Sequence, residues 1–386
     1  MTMRVGEASQ PARVALAERL RSKGVIRSHA IFEAFASVPR EAFVPFFFRE
    51  QGHGWQCCTP ADLSPKEWHE ALYADDSLVV SISDRNAPTS ASSAPTVMAR
   101  MLEALQVESG MRVLEIGTGT GYNAALLATL TGNPARVTSV EVDARLAYQA
   151  YQALQQTVGE VDVRVSDGML GAPGENGASF DRIIATASSR TFPWAWYQQL
   201  APGGRLVMDL QGGLNVSSFC VLEKTVDGEG ALGSFDVPPL YFMPMREQMG
   251  VVSPDASWTL NTWTLSSDHP LPARLLSDPF RWFVQWYLPG LVGKKGAIHH
   301  PRTGKRVEFL RFRNAVGIQL DLEQQAGKDW RVQCLGPSTL WEQMEVASVR
   351  WDELGQPVQQ AYRLEIKHEQ AAFLVSNTHL PLLSFS

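Results

Sequence analysis

Residues 113–127 read VLEIGTGTGYNAALL, and the fold turns on them. RVLEI is a short apolar run, GTGTG a turn, and YNAALLATL a helical stretch. A strand fed through a glycine turn into a helix is the opening of a β-α-β unit. The rhythm continues downstream. ARVTSVEV predicts a strand, ARLAYQAYQALQQTV a helix, VDVRV a strand, FDRIIAT a strand, FPWAWYQQL a helix and GRLVMDL a strand. Such alternation predicts an α/β fold: a Rossmann-like, mostly parallel sheet covered on both faces by helices.

The flanks read differently. Residues 11–23 place Val14, Leu16 and Leu20 among charges and predict a helix stopped by Gly24. Ser28 is a candidate cap for a second helix running to Val38, with Ile31, Phe32 and Phe35 on its apolar side and Pro39 ending it. Residues 49–92, with Trp55, Trp68 and the polar run SISDRNAPTSASS, predict loops and short strands folded over a site. Beyond residue 230 the alternation stops at Pro238, Pro239 and Pro244, and VEFLRF, GIQLDL, WRVQCL and AYRLEI predict an additional α+β domain. The expected segments are 1–92 (helices and covering loops), 93–230 (the α/β core) and 231–386 (a C-terminal extension).

Composition narrows the function classes. A chain of 386 residues with 45% hydrophobic content builds ordinary cores, and more than one domain is expected. A net charge of −6 leaves no strongly basic surface, so nucleic acid is not expected as a partner. Cys57, Cys58, Cys220 and Cys334 show neither zinc spacing nor a disulfide framework. The start MTMRVGEASQ has no apolar run of the signal-peptide kind, and no stretch reaches the ~18 apolar residues of a membrane span. The expectation is a cytoplasmic protein without membrane or metal, of open oligomeric state.

Three glycines at 117, 119 and 121 let the backbone turn tightly and approach a ligand at the carboxyl edge of the sheet, where such folds bind nucleotides. A plain strand-to-helix turn would need no more. A nicotinamide fingerprint would put the third glycine at 122, which is Tyr. Glu115 precedes the turn where it would repel a pyrophosphate, whereas a ligand carrying ammonium and sulfonium cations is helped by it. Glu141 closes the next strand and can accept from ribose hydroxyls. Asp167 follows the third and can accept from an adenine amino group, with Gly168 letting the loop pass the ring. Together these acids and the turn, with Thr118 and Asn123 inside it, predict a site for S-adenosylmethionine.

VLEIGTGTGY, VEV, SDG, FDRIIAT and LAPGGRLV resemble the protein-L-isoaspartate O-methyltransferases, as do VPREAFVP (38–45) and SSAPTVMARMLEAL (92–105). The resemblance runs over residues 12–225. It implies a SAM-dependent methyltransferase that esterifies a peptidyl carboxylate, with Ser93 as the hydroxyl of the reactive segment and Ser92, Ala94, Pro95 and Thr186 beside the substrate. A simpler role for Ser92 or Ser93 is to cap the helix beginning near Pro95, and the two roles are compatible. A carboxylate is ionised at neutral pH, so no general base and no metal are required. The pair His299–His300 reads as surface or interface residues.

The chain is longer than that family's repair enzymes. In length and in SxLWExxExAxxxW (338–351) and AYRLEI (361–366) it resembles the extended forms encoded with lanthipeptide and graspetide maturation systems. Those methylate an aspartate in a cyclised ribosomal peptide, giving a succinimide or isoaspartate. The alternatives are a general isoaspartyl repair enzyme, a small-molecule methyltransferase, which Ser93-Ala94-Pro95 argues against, and a non-enzymatic SAM-binding subunit. The extension is equally open to a structural or oligomerising role.

Overall fold

The computed structural model describes residues 9–52, 54–175, 177, 179–246, 260–265, 269–288, 293–299, 306–312, 318–324, 330–335, 339–367, 370–375 and 378–381. Residues 260–263, 293–299, 306–312, 318–324, 331–335 and 378–381 are described by their backbone alone. The side chains of His299, His300 and Cys334 therefore lie outside the described set, as do residues 1–8. The chain packs as two compact units. One comprises Met1–Ala187, Pro193–Met208 and Glu223–Gly228, the other Ser188–Phe192, Asp209–Leu222 and Glu229–Ser386.

The first unit opens with helices α1 (Gln10–Ser22) and α2 (His29–Ser37), which pack on each other. Gly24 follows α1 with φ +72°. Ser28 stands at the N-cap of α2, but its side chain makes no cap bond. Glu103 does that work from a distant helix, accepting from the backbone N–H of Arg27 and of Ser28, both at 2.8 Å. The stretch expected to be loops with short strands is more ordered than that. Strands β1 (Phe47–Gln51), β2 (Gly54–Cys58), β3 (Leu78–Ile82) and β4 (Pro88–Ser92) form an antiparallel sheet in the order β2-β1-β3-β4. A helix, α3 (Pro65–Leu72), interrupts it, started by a reciprocal capping box of Ser64 and Glu67. Phe47 stacks on Trp68 beneath the sheet, at 5.4 Å between centroids.

After α4 (Pro95–Leu105) comes the expected alternation. It runs β5 (Val113–Ile116), α5 (Tyr122–Thr131), β6 (Val137–Glu141), α6 (Ala144–Thr157), β7 (Asp162–Val165), β8 (Phe180–Ser189), α7 (Trp194–Gln199) and β9 (Leu200–Gln211). β5 pairs in parallel with β6 on one side and β8 on the other, and β7 lies beyond β6. The strand order thus reverses at β5, and the turn leaving β5 opens at a topological switch point. All of β5 and β6 is buried, and α5 is buried almost all round because α2 covers its outer side.

In the second unit β10 (Ser217–Lys224), which begins there, neighbours β11 (Gly230–Asp236). Antiparallel pairing then continues through β17 (Arg363–Lys367), β18 (Gln370–Val375) and β19 (Thr378–Pro381). A separate antiparallel sheet has the order β12-β16-β15-β14-β13, from Leu260–Leu265, Trp330–Leu335, Ile318–Gln324, Arg306–Phe312 and Gly293–His299. Helices α8 (Pro270–Leu276), α9 (Asp278–Tyr287) and α10 (Thr339–Glu353) pack together. The expected α+β extension is thus present. Its core is aromatic: Trp282, fully buried, has Phe235 at 5.3 Å, Trp286 at 5.5 Å and Phe373 at 6.0 Å between ring centroids. Among the described residues no helix is long and apolar enough to cross a membrane.

Trp282→Ala removes the ring that joins this cluster. It is expected to lower stability by about 3–5 kcal/mol, read as an earlier urea transition of the full chain. An unchanged transition would show that the cluster does not hold the second unit together.

Candidate active site

The glycine turn is a built cradle. Gly117 has φ +97°, and a Cβ there would lie 2.9 Å from Thr186 Oγ1. Gly121 has φ +86°, and a Cβ would meet the Ala150 Cβ at 3.0 Å, so the start of α5 lies directly on α6. Both conformation and space therefore demand glycine at these two positions. The turn is tied down on several sides. Gly117 N and Thr118 N donate to Val140 O at 2.8 and 3.2 Å. Thr186 Oγ1 donates to Gly117 O at 2.6 Å. Thr186, expected beside the substrate, braces the loop through this bond.

The acids differ in what they do. Glu115 is fully buried, accepting from Asn123 Nδ2 at 2.8 Å and from Ser139 Oγ at 2.5 Å. Thr118 Oγ1 in turn bonds Ser139 Oγ at 2.6 Å. Burial pushes Glu115 up to about 7 against those two hydrogen bonds, and the charge of Glu141 adds to the rise. Glu141 accepts from Gly119 N at 2.9 Å and from Asp143 N at 3.0 Å, one donor per oxygen, so each oxygen keeps a further lone pair. Asp167 accepts from Met169 N at 2.9 Å, capping the short turn Gly168–Leu170. Gly168 O is fixed by the buried Trp196 Nε1 at 2.7 Å, a support the sequence reading did not single out.

Two carboxylates thus converge on the turn with no cation of the protein among their hydrogen-bond partners in the described residues, and Asn123 Oδ1 is buried without a hydrogen-bond partner. An orphan buried acceptor beside converging carboxylates suits a ligand bringing donors and positive charge, and would repel a pyrophosphate. The residues fit S-adenosylmethionine.

The reactive segment is held by a residue that sequence reasoning passed over. Arg40, in VPREAFVP, is fully buried. Its guanidinium donates to Leu72 O at 2.7 Å, Ala74 O at 3.4 Å, Asp76 O at 3.3 Å, Ser92 O at 3.2 Å and Ser93 O at 3.1 Å. It also donates to Ser92 Oγ from Nε and from Nη2, both at 3.3 Å. Ser92 is buried and held by the scaffold through its hydroxyl. Ser93 is half-buried, and its hydroxyl has no hydrogen-bond partner among the described residues. Neither serine caps α4. Ala94 is the N-cap, and Asp75 supplies the cap, accepting from Thr96 N at 2.8 Å and Thr96 Oγ1 at 2.6 Å while pairing with Lys23 at 3.1 Å. Pro95 is buried in the first turn of α4.

The same segment lies beside the cradle. A Cβ on Gly119 would sit 3.7 Å from Ser90 Oγ and 3.9 Å from Ala91 O. Arg40 also lies 5.7 Å from the ring centroid of Tyr122, the first residue of α5, against which Phe35 and Phe43 pack. The structure thus brings Ser90 and Ala91, at the end of the strand that leads into Ser92 and Ser93, to Gly119.

Two predictions follow from this geometry. Glu115 has its folded-state pKa raised above the ordinary 4.5, so the stability it confers is present below that value and is lost as pH rises to about 7. Glu115→Gln is therefore expected to stabilise the ligand-free protein at pH 8 by about 1–3 kcal/mol, with little gain at pH 4.5. Equal melting shifts at both pH values would contradict a buried charge. Gly117→Ala is expected to weaken S-adenosylmethionine binding by about tenfold or more in calorimetry while the chain still folds. Unchanged affinity would show that the turn is not part of the binding site.

Residues 59–247 match the family described as protein-L-isoaspartate(D-aspartate) O-methyltransferase (PCMT). The chain is 36% identical over 220 residues to a protein-L-isoaspartate O-methyltransferase of Methanopyrus kandleri, spanning 56% of this chain and 84% of that one. It is 43% identical over 155 residues to one of Anaeromyxobacter dehalogenans, spanning 40% and 71%. A solved structure titled protein-L-isoaspartate O-methyltransferase shares the fold over 94% of this chain and 99% of its own, at TM-score 0.54 and 20% identity. With a SAM-type cradle and a serine segment beside it, and with relatives matched over most of their length, this chain belongs to the protein-L-isoaspartate O-methyltransferase family of SAM-dependent enzymes.

Proposed function

We propose that Ser93 holds the acceptor carboxylate of a peptidyl aspartate or isoaspartate while one of its oxygens is methylated. One observation carries this: of two adjacent serines, the scaffold uses the Ser92 hydroxyl and leaves that of Ser93 without a partner, with helix capping assigned to Asp75. S-adenosylmethionine, when bound, supplies a methyl group on a positively charged sulfur. Glu141 offers its remaining lone pairs to the ribose hydroxyls, Asp167 accepts from the adenine amino group, and Gly117, Gly119 and Gly121 admit the ligand against backbone. Thr118 and Asn123 keep Glu115 in place beneath it.

The chemistry asks little of the side chains. The acceptor is already an anion, so no proton has to be removed. A carboxylate oxygen gains the methyl group, the sulfur–carbon bond breaks, and the sulfur becomes a neutral thioether. The contribution of Ser93 is a charge-assisted hydrogen bond to the other oxygen, fixing the line of attack. The ester then loses methanol to the following backbone nitrogen, closing a succinimide that water opens.

For the acceptor itself we infer a constrained, cyclised ribosomal peptide. The family match ends at residue 247, and most of the second unit lies beyond it. That unit contains a cavity of about 650 Å³ lined by Tyr287, Leu288, Thr339, Glu342, Gln343 and Val346. A mixed apolar and polar recess on a rigid aromatic core is suited to gripping a peptide. The second reading is general repair of isoaspartyl proteins. It is favoured by the likeness of fold over 94% of the chain to a structure titled simply protein-L-isoaspartate O-methyltransferase.

Methyl transfer from labelled S-adenosylmethionine to a linear isoaspartyl peptide and to a macrocyclic aspartyl peptide separates the two. Methylation of the macrocycle alone is expected. Methylation of the linear peptide alone would overturn the constrained-peptide reading and leave the repair one. Ser93→Ala is expected to bind S-adenosylmethionine normally and to lose turnover by about ten- to a hundredfold. An unchanged rate would remove Ser93 from the reaction.

A further inference from the structure

Arg40 is held in an unusual way. Burying a guanidinium is costly, and such groups are ordinarily paired with a carboxylate. Every hydrogen bond of the Arg40 guanidinium goes instead to a neutral oxygen: the carbonyls of Leu72, Ala74, Asp76, Ser92 and Ser93, and the Ser92 hydroxyl. The acidic and phenolic groups around it are engaged elsewhere or exposed. Glu41 accepts from Ser9 and from the Tyr73 hydroxyl and lies 3.7 Å from Arg13. Asp75 is taken by Thr96 and Lys23. Asp76 turns an exposed side chain outward. Tyr73 and Tyr122 are both raised by burial and stay neutral. Carbonyl dipoles satisfy the N–H groups but do not cancel a net charge. A full positive charge therefore stands in a water-poor interior, 3.1 Å from the carbonyl of the residue whose hydroxyl is free.

We propose that Arg40 is a positioning and specificity-determining residue: its buried charge, hydrogen-bonded to no carboxylate, makes the Ser93 site select an ionised carboxylate over a neutral acyl group. This rests on the reading that Ser93 receives the acceptor carboxylate. Arg40 acts there at second hand, fixing the backbone of Ser92 and Ser93 by hydrogen bonds and supplying a favourable field without touching substrate.

The test compares binding of two peptides to the full chain with S-adenosylhomocysteine present. One carries an isoaspartyl residue with its free carboxylate, the other the same residue with that carboxylate converted to the amide. Wild type is expected to prefer the acid by about tenfold or more, the effect of one neighbouring unit charge on a carboxylate. Arg40→Gln is expected to lose most of that ratio and Arg40→Lys to keep it. Ser93→Ala removes a hydroxyl that the fold does not use and leaves Arg40 in place, so it tests the field even if Arg40→Gln does not fold. It is expected to bind both peptides more weakly but to keep the preference. A ratio near one in Ser93→Ala, or an unchanged ratio in a folded Arg40→Gln, overturns the role of Arg40. If wild type methylates the isoaspartyl peptide in either case, the function of the site stands without it. A wild type that neither binds nor methylates the acid overturns both.

Discussion

The attachment of the reactive segment to Arg40 is the constraint on which the rest of the site depends. A guanidinium buried from solvent is tolerable only if its N–H groups all find acceptors, and here the acceptors come from two separate stretches of chain, 72–76 and 92–93. Neither stretch can drift without orphaning a charged donor. The antiparallel sheet that carries Ser92 at the end of β4, the cap that Asp75 places on α4, and the packing of Phe35 and Phe43 on Tyr122 all converge on the same few ångströms. The N-terminal helices thus act as a mount that sets where Ser93 points.

The cofactor side obeys a different logic. Parallel strands leave their carboxyl ends open where the order reverses, and the turn after β5 lies at that reversal. The glycines admit a ligand, and Thr186, Ser139 and Glu141 stiffen the turn from behind. Glu115 is held in a state where a nearby cation would favour its ionised form, and this couples the site's charge to what is bound there. A methyl donor whose sulfur loses its positive charge in the reaction would lose that part of the coupling on transfer.

The α/β core was legible because its signal is local: apolar runs of strand length, glycine turns and amphipathic helices recur in order from Val113 to Gln211. The acids at 115, 141 and 167 could be placed at strand ends for the same reason. What could not be read depended on burial and on partners distant in sequence. Arg40 sits among Pro39, Glu41 and Ala42 and looks like a surface charge; only the fold shows that it is buried. Ser92 and Ser93 are chemically identical in the sequence, and their roles divide only when Arg40 reaches Ser92 from 52 residues away and Asp75 reaches Thr96 from 21 residues away. Ser28 stands at the N-cap as expected, but its side chain makes no cap bond, and the contact at this end that comes from afar is Glu103 on the backbone of Arg27 and Ser28. The α3 helix, by contrast, was announced by Ser64-Pro65-Lys66-Glu67, a capping-box spacing that the aromatic and polar clutter of residues 49–92 obscured.

The central claim is that the fold leaves one hydroxyl free to receive a carboxylate beside the cradle. A crystal structure of the full chain with S-adenosylhomocysteine and an isoaspartyl peptide tests it most directly. A carboxylate oxygen is expected within hydrogen-bonding distance of Ser93 Oγ, about 2.5–3.0 Å, with Ser92 still bound to Arg40. A carboxylate held by other groups, with Ser93 turned away or bonded to the protein, would contradict it.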